Sequence, residues 1–109
     1  MKRILLTIMI GALFSGPAWA NPTHELVQQM SDPDRNAYFT KVLQDAGERC
    51  DGATKTQFQR RGNSGDAVWN VACRNKKSYS IVIHSDTKGS TMITDCATLK
   101  ALHVEQCFK

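Results

Sequence analysis

The chain has 109 residues, 41% hydrophobic, 7% aromatic and 22% charged, with a formal net charge of +4. That balance excludes a disordered tail, and the length excludes a Rossmann enzyme, a barrel enzyme or any two-lobed architecture. One domain is the most it can hold.

The first twenty residues read as an export signal. Lys2 and Arg3 form a basic start, Ile4 to Phe14 an apolar stretch, and Ser15-Gly16-Pro17 a break. Ala18-Trp19-Ala20 then offers small residues at the two positions a signal peptidase reads, which predicts cleavage before Asn21. The apolar run is short for a membrane span, which takes roughly 20 residues. No cysteine stands at the cut to carry a lipid, so no stable anchor is expected after cleavage. Residues 1–20 are thus a signal peptide, and residues 21–109 form the working domain. Removing Lys2 and Arg3 lowers the net charge from +4 to +2. A charge of +2 spread along the chain does not point to nucleic acid or an anionic membrane as partner. Arg60-Arg61 and Arg74 with Lys76-Lys77 read as solvated hairpin tips.

After the cut, residues 23–30 offer a short helical turn presenting Leu26, Val27 and Met30, in a mobile-looking segment that also holds His24. Asp32 can cap a second helix, with Pro33 at its first position. Phe39, Val42, Leu43 and Ala46 follow at helical spacing with Tyr38 alongside, and Asp34, Lys41, Gln44 and Asp45 take the wet side. Gly47 closes this helix.

From Thr54 the period changes to two, which predicts strands at 54–61, 67–74, 78–84 and 90–95. Loops this short join antiparallel neighbours into a four-strand meander. A loop at 62–65 sets Phe58 opposite Trp69. For the next hairpin, a two-residue turn sets Trp69 opposite Val82. A three-residue loop at Asn75 to Lys77 sets Trp69, Val71 and Cys73 opposite Ile83, Ile81 and Tyr79, and burial favours this second option. Phe58, Trp69 and Tyr79 then share the inward face, as core residues rather than a stacking platform. A short helix capped by Asp95 ends the chain, with Ala97, Leu99, Leu102 and Val104 as apolar surface. The fold class is therefore α+β: an N-terminal helix across one face of a four-strand antiparallel sheet, with a short C-terminal helix at its edge.

The four cysteines, Cys50, Cys73, Cys96 and Cys107, read as two disulfides, because an even count in a small exported chain usually does. Their gaps of 23, 23 and 11 residues lack the close ligand pairs of zinc folds, and no C-x-x-C occurs. Three connectivities are open. Strands one and two lie about 4.8 Å apart, whereas strands two and four are twice that. Lateral distance thus favours Cys50–Cys73, leaving Cys96–Cys107 to clamp the C-terminal helix if the chain doubles back after His103.

Candidate chemistry is sparse. His84 ends a strand beside Asp86, which makes these two the candidate site; no pair of His24, His84 and His103 has metal-binding spacing. Gly62-Asn63-Ser64-Gly65-Asp66 reads as a hairpin turn rather than a calcium loop. No cofactor motif is present.

Cys50, the run Trp69-Asn70-Val71-Ala72-Cys73, Tyr79, Asp95-Cys96, Leu99 and Cys107-Phe108 resemble a family of small exported proteobacterial proteins of unknown function. The resemblance covers about the last 60 residues. It implies a disulfide-bearing α+β domain and no particular activity. The functional expectation is a periplasmic or secreted, non-catalytic module that binds an envelope protein or peptide. The alternative is a small hydrolase or metal-binding protein using His84 and Asp86.

Overall fold

The computed structural model describes residues 20–108. The signal-peptide reading falls on residues 1–20, of which 1–19 lie outside them. The elements are α1 (Pro22–Gln29), α2 (Asp32–Asp45), β1 (Ala53–Arg61), β2 (Ala67–Cys73), β3 (Ser78–Ile83), β4 (Thr91–Asp95) and α3 (Cys96–Ala101). The sheet is the antiparallel meander β1-β2-β3-β4, as expected for an α+β domain of this kind.

Helix α2 forms where its punctuation places it, with one correction. Ser31 is the N-cap, its hydroxyl accepting from the Asp34 N–H, so Asp32 and Pro33 open the first turn. Phe39 and Leu43 are fully buried, while Ala46 is the exposed C-cap. Gly47 follows at φ +81°, with Gly47 N–H donating to Gln44 O and Glu48 N–H to Leu43 O. Such a closure needs a left-handed residue, which glycine adopts at little cost.

The N-terminal segment is part of the core, contrary to the mobile reading. Val27 is fully buried and Asn21 and His24 are 1% exposed, whereas Leu26 points to solvent. The Asn21 side chain caps α1 by accepting from His24 N–H, and it donates to Gly65 O and Ile83 O. Arg35 ties the other end, donating to the carbonyls of Val27, Gln28 and Met30. A short helix is marginal alone, so these long-range ties are what fix it.

Phe58 pairs with Trp69 as expected. The second hairpin has the favoured three-residue loop and the favoured face, but its register differs by two residues. Trp69 pairs with Ile81, Val71 with Tyr79, and Ala67 with Ile83. The loop is Arg74-Asn75-Lys76, one residue earlier than expected, closed by Cys73 N–H to Lys77 O. Lys76 takes the left-handed position at φ 69° that such a loop requires. Because a two-residue slip preserves the alternation, hydrophobic patterning alone does not choose between these registers.

Helices α1 and α2 cover the face bearing Trp69, Val71, Tyr79, Ile81 and Ile83. The other face is covered as well, by residues that follow α3. His103 stands at φ 55°, and Val104 N–H donates back to Leu99 O, which turns the chain through the doubling-back the disulfide needs. The tail then crosses to β1. Asn70 donates to Cys107 O, Gln59 to Gln106 O and Cys107 O, and Arg60 pairs with Glu105 at 2.7 Å. This cover buries Val68, Asn70 and Ser80 on the second face. Both disulfides are those expected, Cys50–Cys73 and Cys96–Cys107, with Cα separations of 5.5 and 5.9 Å. No helix among the described residues is long and apolar enough to cross a membrane.

Candidate functional site

His84 and Asp86 lie where β3 leaves the sheet, but their side chains serve different partners. His84 Nδ1 is 3.3 Å from Asp66 Oδ2, both side chains being partly buried. The observed register explains the pair, since continuing it one step beyond Ala67–Ile83 sets Asp66 opposite His84. In the register expected from sequence, His84 faces Val68 instead of Asp66. Asp86 closes its own loop, accepting from the Ser90 hydroxyl and from Ser90 and Lys88 N–H. The Ser90 bonds hold its carboxyl below the usual carboxylate range. Around His84, Ser85 donates to Ser64 O, and Asn21 joins the two loops through Gly65 and Ile83. These contacts knit the end of the sheet together. Among the described residues no three His, Cys, Asp or Glu side chains gather as a metal site.

An open hollow of about 610 Å³ lies beside this end, lined by Asn21, Pro22, Glu25, Arg61, Gly62 and Gly65. Its charged rim is the Arg61–Glu25 pair, at 3.3 Å and exposed on both sides. His84 and Asp86 are not among its lining residues.

His24 is the histidine with a demanding environment. Trp69 Nε1–H donates to His24 Nδ1 at 3.0 Å, and the imidazole packs at 4.8 Å from the Phe58 ring. As acceptor, Nδ1 carries no proton, which sets the neutral Nε2–H tautomer. Burial holds the His24 pKa below its ordinary value of 6.5, the Arg61 guanidinium pushes in the same direction, and Glu25 opposes them. Since the folded pKa is depressed, the stability His24 contributes is fully present above about pH 6.5 and is lost as pH falls through the folded value. Acid therefore loosens α1 from Trp69. Denaturation midpoints measured from pH 7 downwards are expected to fall in the wild type. They should fall less in His24→Gln, whose amide oxygen still accepts from the indole and does not protonate in this range. Equal pH dependence in both proteins would show that His24 carries none of it.

The third feature is the segment closed by Cys96–Cys107. Asp95 caps α3 by accepting from Ala97 N–H, and Lys77 lies 2.9 Å from the same carboxylate, whose pKa it lowers. At the far end, Asn70, Gln59 and Arg60 fix the tail. Between these anchors Leu102 and Val104 are each 66% exposed, on either side of His103. Ala97, Lys100, Ala101, His103, Val104 and Glu105 border an open hollow of about 710 Å³ there. Sequence periodicity marked Leu102 and Val104 as apolar surface, but only the left-handed turn at His103 shows that both face solvent. Comparison with protein-family models, curated proteins and solved structures gives no match.

Proposed function

We propose that this protein is an exported, non-catalytic binding module that engages a protein or peptide of the cell envelope through the clamped segment 96–107. One observation carries the reading: Leu102 and Val104 are 66% exposed on a backbone fixed at both ends by a disulfide and by bonds to the sheet. A loop already held in one conformation loses little entropy when it docks, so two apolar anchors there count for more than they would on a free tail. The two disulfides are compatible with an oxidising compartment, which fits the export signal read in residues 1–20. A hydrolase or metal protein using His84 and Asp86 would need a third group beside them, and Asp86 is already engaged by Ser90 and Lys88.

The test uses the oxidised protein and its Leu102→Ser/Val104→Ser variant as paired baits in envelope extract. Both changes are on solvent-facing side chains, so the variant keeps its fold. A component held by the wild type and weakened about tenfold or more by the variant, the factor for about 1.4 kcal/mol, is the expected result. Capture that is indifferent to the two substitutions would overturn the assignment of the surface.

A further inference from the structure

The two edges of the sheet are finished differently. β1 is guarded: its register with β2 slips between Ala53 and Lys55 and again between Phe58 and Arg60. Its exposed residues also include Lys55, Arg60 and Arg61. Bulges and charges are ordinary means of stopping an edge strand from recruiting another strand. β4 has neither. It pairs with β3 without a slip, and Thr91-Met92-Ile93-Thr94 holds no charge and no proline. Asp95, at its end, is already committed to Lys77 and to the cap of α3.

The hydrogen-bond pattern shows which groups face outward. His84 N–H donates to Ser90 O, so Ser90, Met92 and Thr94 are the residues that exchange bonds with β3. Thr91, Ile93 and Asp95 therefore turn their main-chain groups away from the sheet. Among the described residues, no main-chain group outside the sheet bonds Thr91 or Ile93. The Asp95 carbonyl opens the first turn of α3, but its N–H remains on the edge.

We propose that β4 pairs antiparallel with β4 of a second copy of this chain, about a two-fold axis at Ile93, joining the two sheets edge to edge. In this register Ile93 faces its own copy and the two exchange a pair of main-chain hydrogen bonds. Each Asp95 N–H meets the Thr91 carbonyl of the other copy, adding a second pair. The ladder stops there because the Asp95 carbonyl belongs to α3. Ile93, which packs partly buried against the core, lies beside its copy and extends both cores. On the opposite face Met92, 53% exposed, lies beside Thr94 of the second copy.

The strand's self-complementarity selects a second copy as the occupant. Within the paired strands no like charges stand opposite one another, since Asp95 faces Thr91, and an isologous contact needs no separate partner sequence. An interface built on five residues falls below the standard size, so the dimer dissociates on dilution. This pairing does not rest on the binding role assigned to segment 96–107.

Sedimentation velocity across a concentration series of the oxidised protein, with amide hydrogen exchange on the same samples, tests it. The expected result is a reversible shift from one to two copies, with the Ile93 and Asp95 amides slowing as the dimer forms. Met92→Lys places two cations at diagonal positions across the axis while keeping an already exposed side chain. It is expected to weaken the dimer about tenfold or more, with an unchanged denaturation midpoint at monomeric concentration. Leu102→Ser/Val104→Ser is expected to leave dimerisation intact. A monomer throughout the series overturns the proposal. So does a dimer in which the Ile93 and Asp95 amides stay unprotected, or one abolished by the Leu102 and Val104 changes but not by Met92→Lys.

Discussion

Replacing Trp69 by alanine is expected to cost the domain about 3–5 kcal/mol, the usual loss when a large buried aromatic is deleted. The side chain is 3% exposed and joins elements that are far apart in sequence. Its ring meets Phe39 of α2 at 5.6 Å, Phe58 of β1 at 5.4 Å and His24 of α1 at 5.7 Å between centroids. Arg35 sits 5.3 Å above the ring while donating to carbonyls around the end of α1. Truncation thus leaves a cavity, strips His24 of its donor and loosens the cation that ties α1 to α2. Domains of this size are stable by only about 5–15 kcal/mol, so the loss removes a large part of the margin. Trp69→Phe separates the contributions. It keeps most of the apolar contact but leaves the His24 acceptor unmatched, and is expected to cost about 1–3 kcal/mol. Urea midpoints with an unchanged slope give both values. An unchanged midpoint in Trp69→Ala would remove Trp69 from the centre of the core.

The features legible in the sequence are those with local signals. Helix α2 announces itself through Pro33 near its start, Phe39 and Leu43 one turn apart, and Gly47 at its close. The inward face of β2 is legible from Trp69, Val71 and Cys73 because alternation depends only on the parity of the register. The register itself is not, since moving the loop from Asn75–Lys77 to Arg74–Lys76 shifts partners by two and leaves every side chain on its face. That shift is why Asp66, rather than Val68, stands against His84. The burial of His24 is not legible locally, because its partner Trp69 is 45 residues away and a buried histidine has no local signature. The tail across the second face was hidden for the same reason. Arg60 reads as part of a solvated hairpin tip, whereas in the structure it pairs with Glu105, and Gln59 and Asn70 donate to Cys107 O.

Opening both disulfides is expected to have a larger effect still. In the chain-entropy account, a bond between residues 23 apart is worth about 3.5 kcal/mol and one between residues 11 apart about 3 kcal/mol. The two bonds lie in separate parts of the structure. Cys50–Cys73 belongs to the helix-covered core, whereas Cys96–Cys107 fastens α3 and the tail. Their losses should therefore add approximately. A combined deficit of about 6–7 kcal/mol matches the low end of the about 5–15 kcal/mol range, where a domain this small belongs, so the fully reduced protein is expected to be largely unfolded at 37 °C. The single losses differ in kind. Without Cys50–Cys73, the β1–β2 end of the core is untied and the global midpoint drops. Without Cys96–Cys107, Asn70, Gln59 and Arg60 still hold the tail, so part of the loss appears first as faster amide exchange in α3 and at Val68 to Asn70. Circular dichroism with and without reductant, and exchange on the two double-serine variants, distinguish these outcomes. A reduced protein that keeps its cooperative transition near the oxidised midpoint would mean that the core alone suffices. The expected collapse would instead make an oxidising environment a condition of folding.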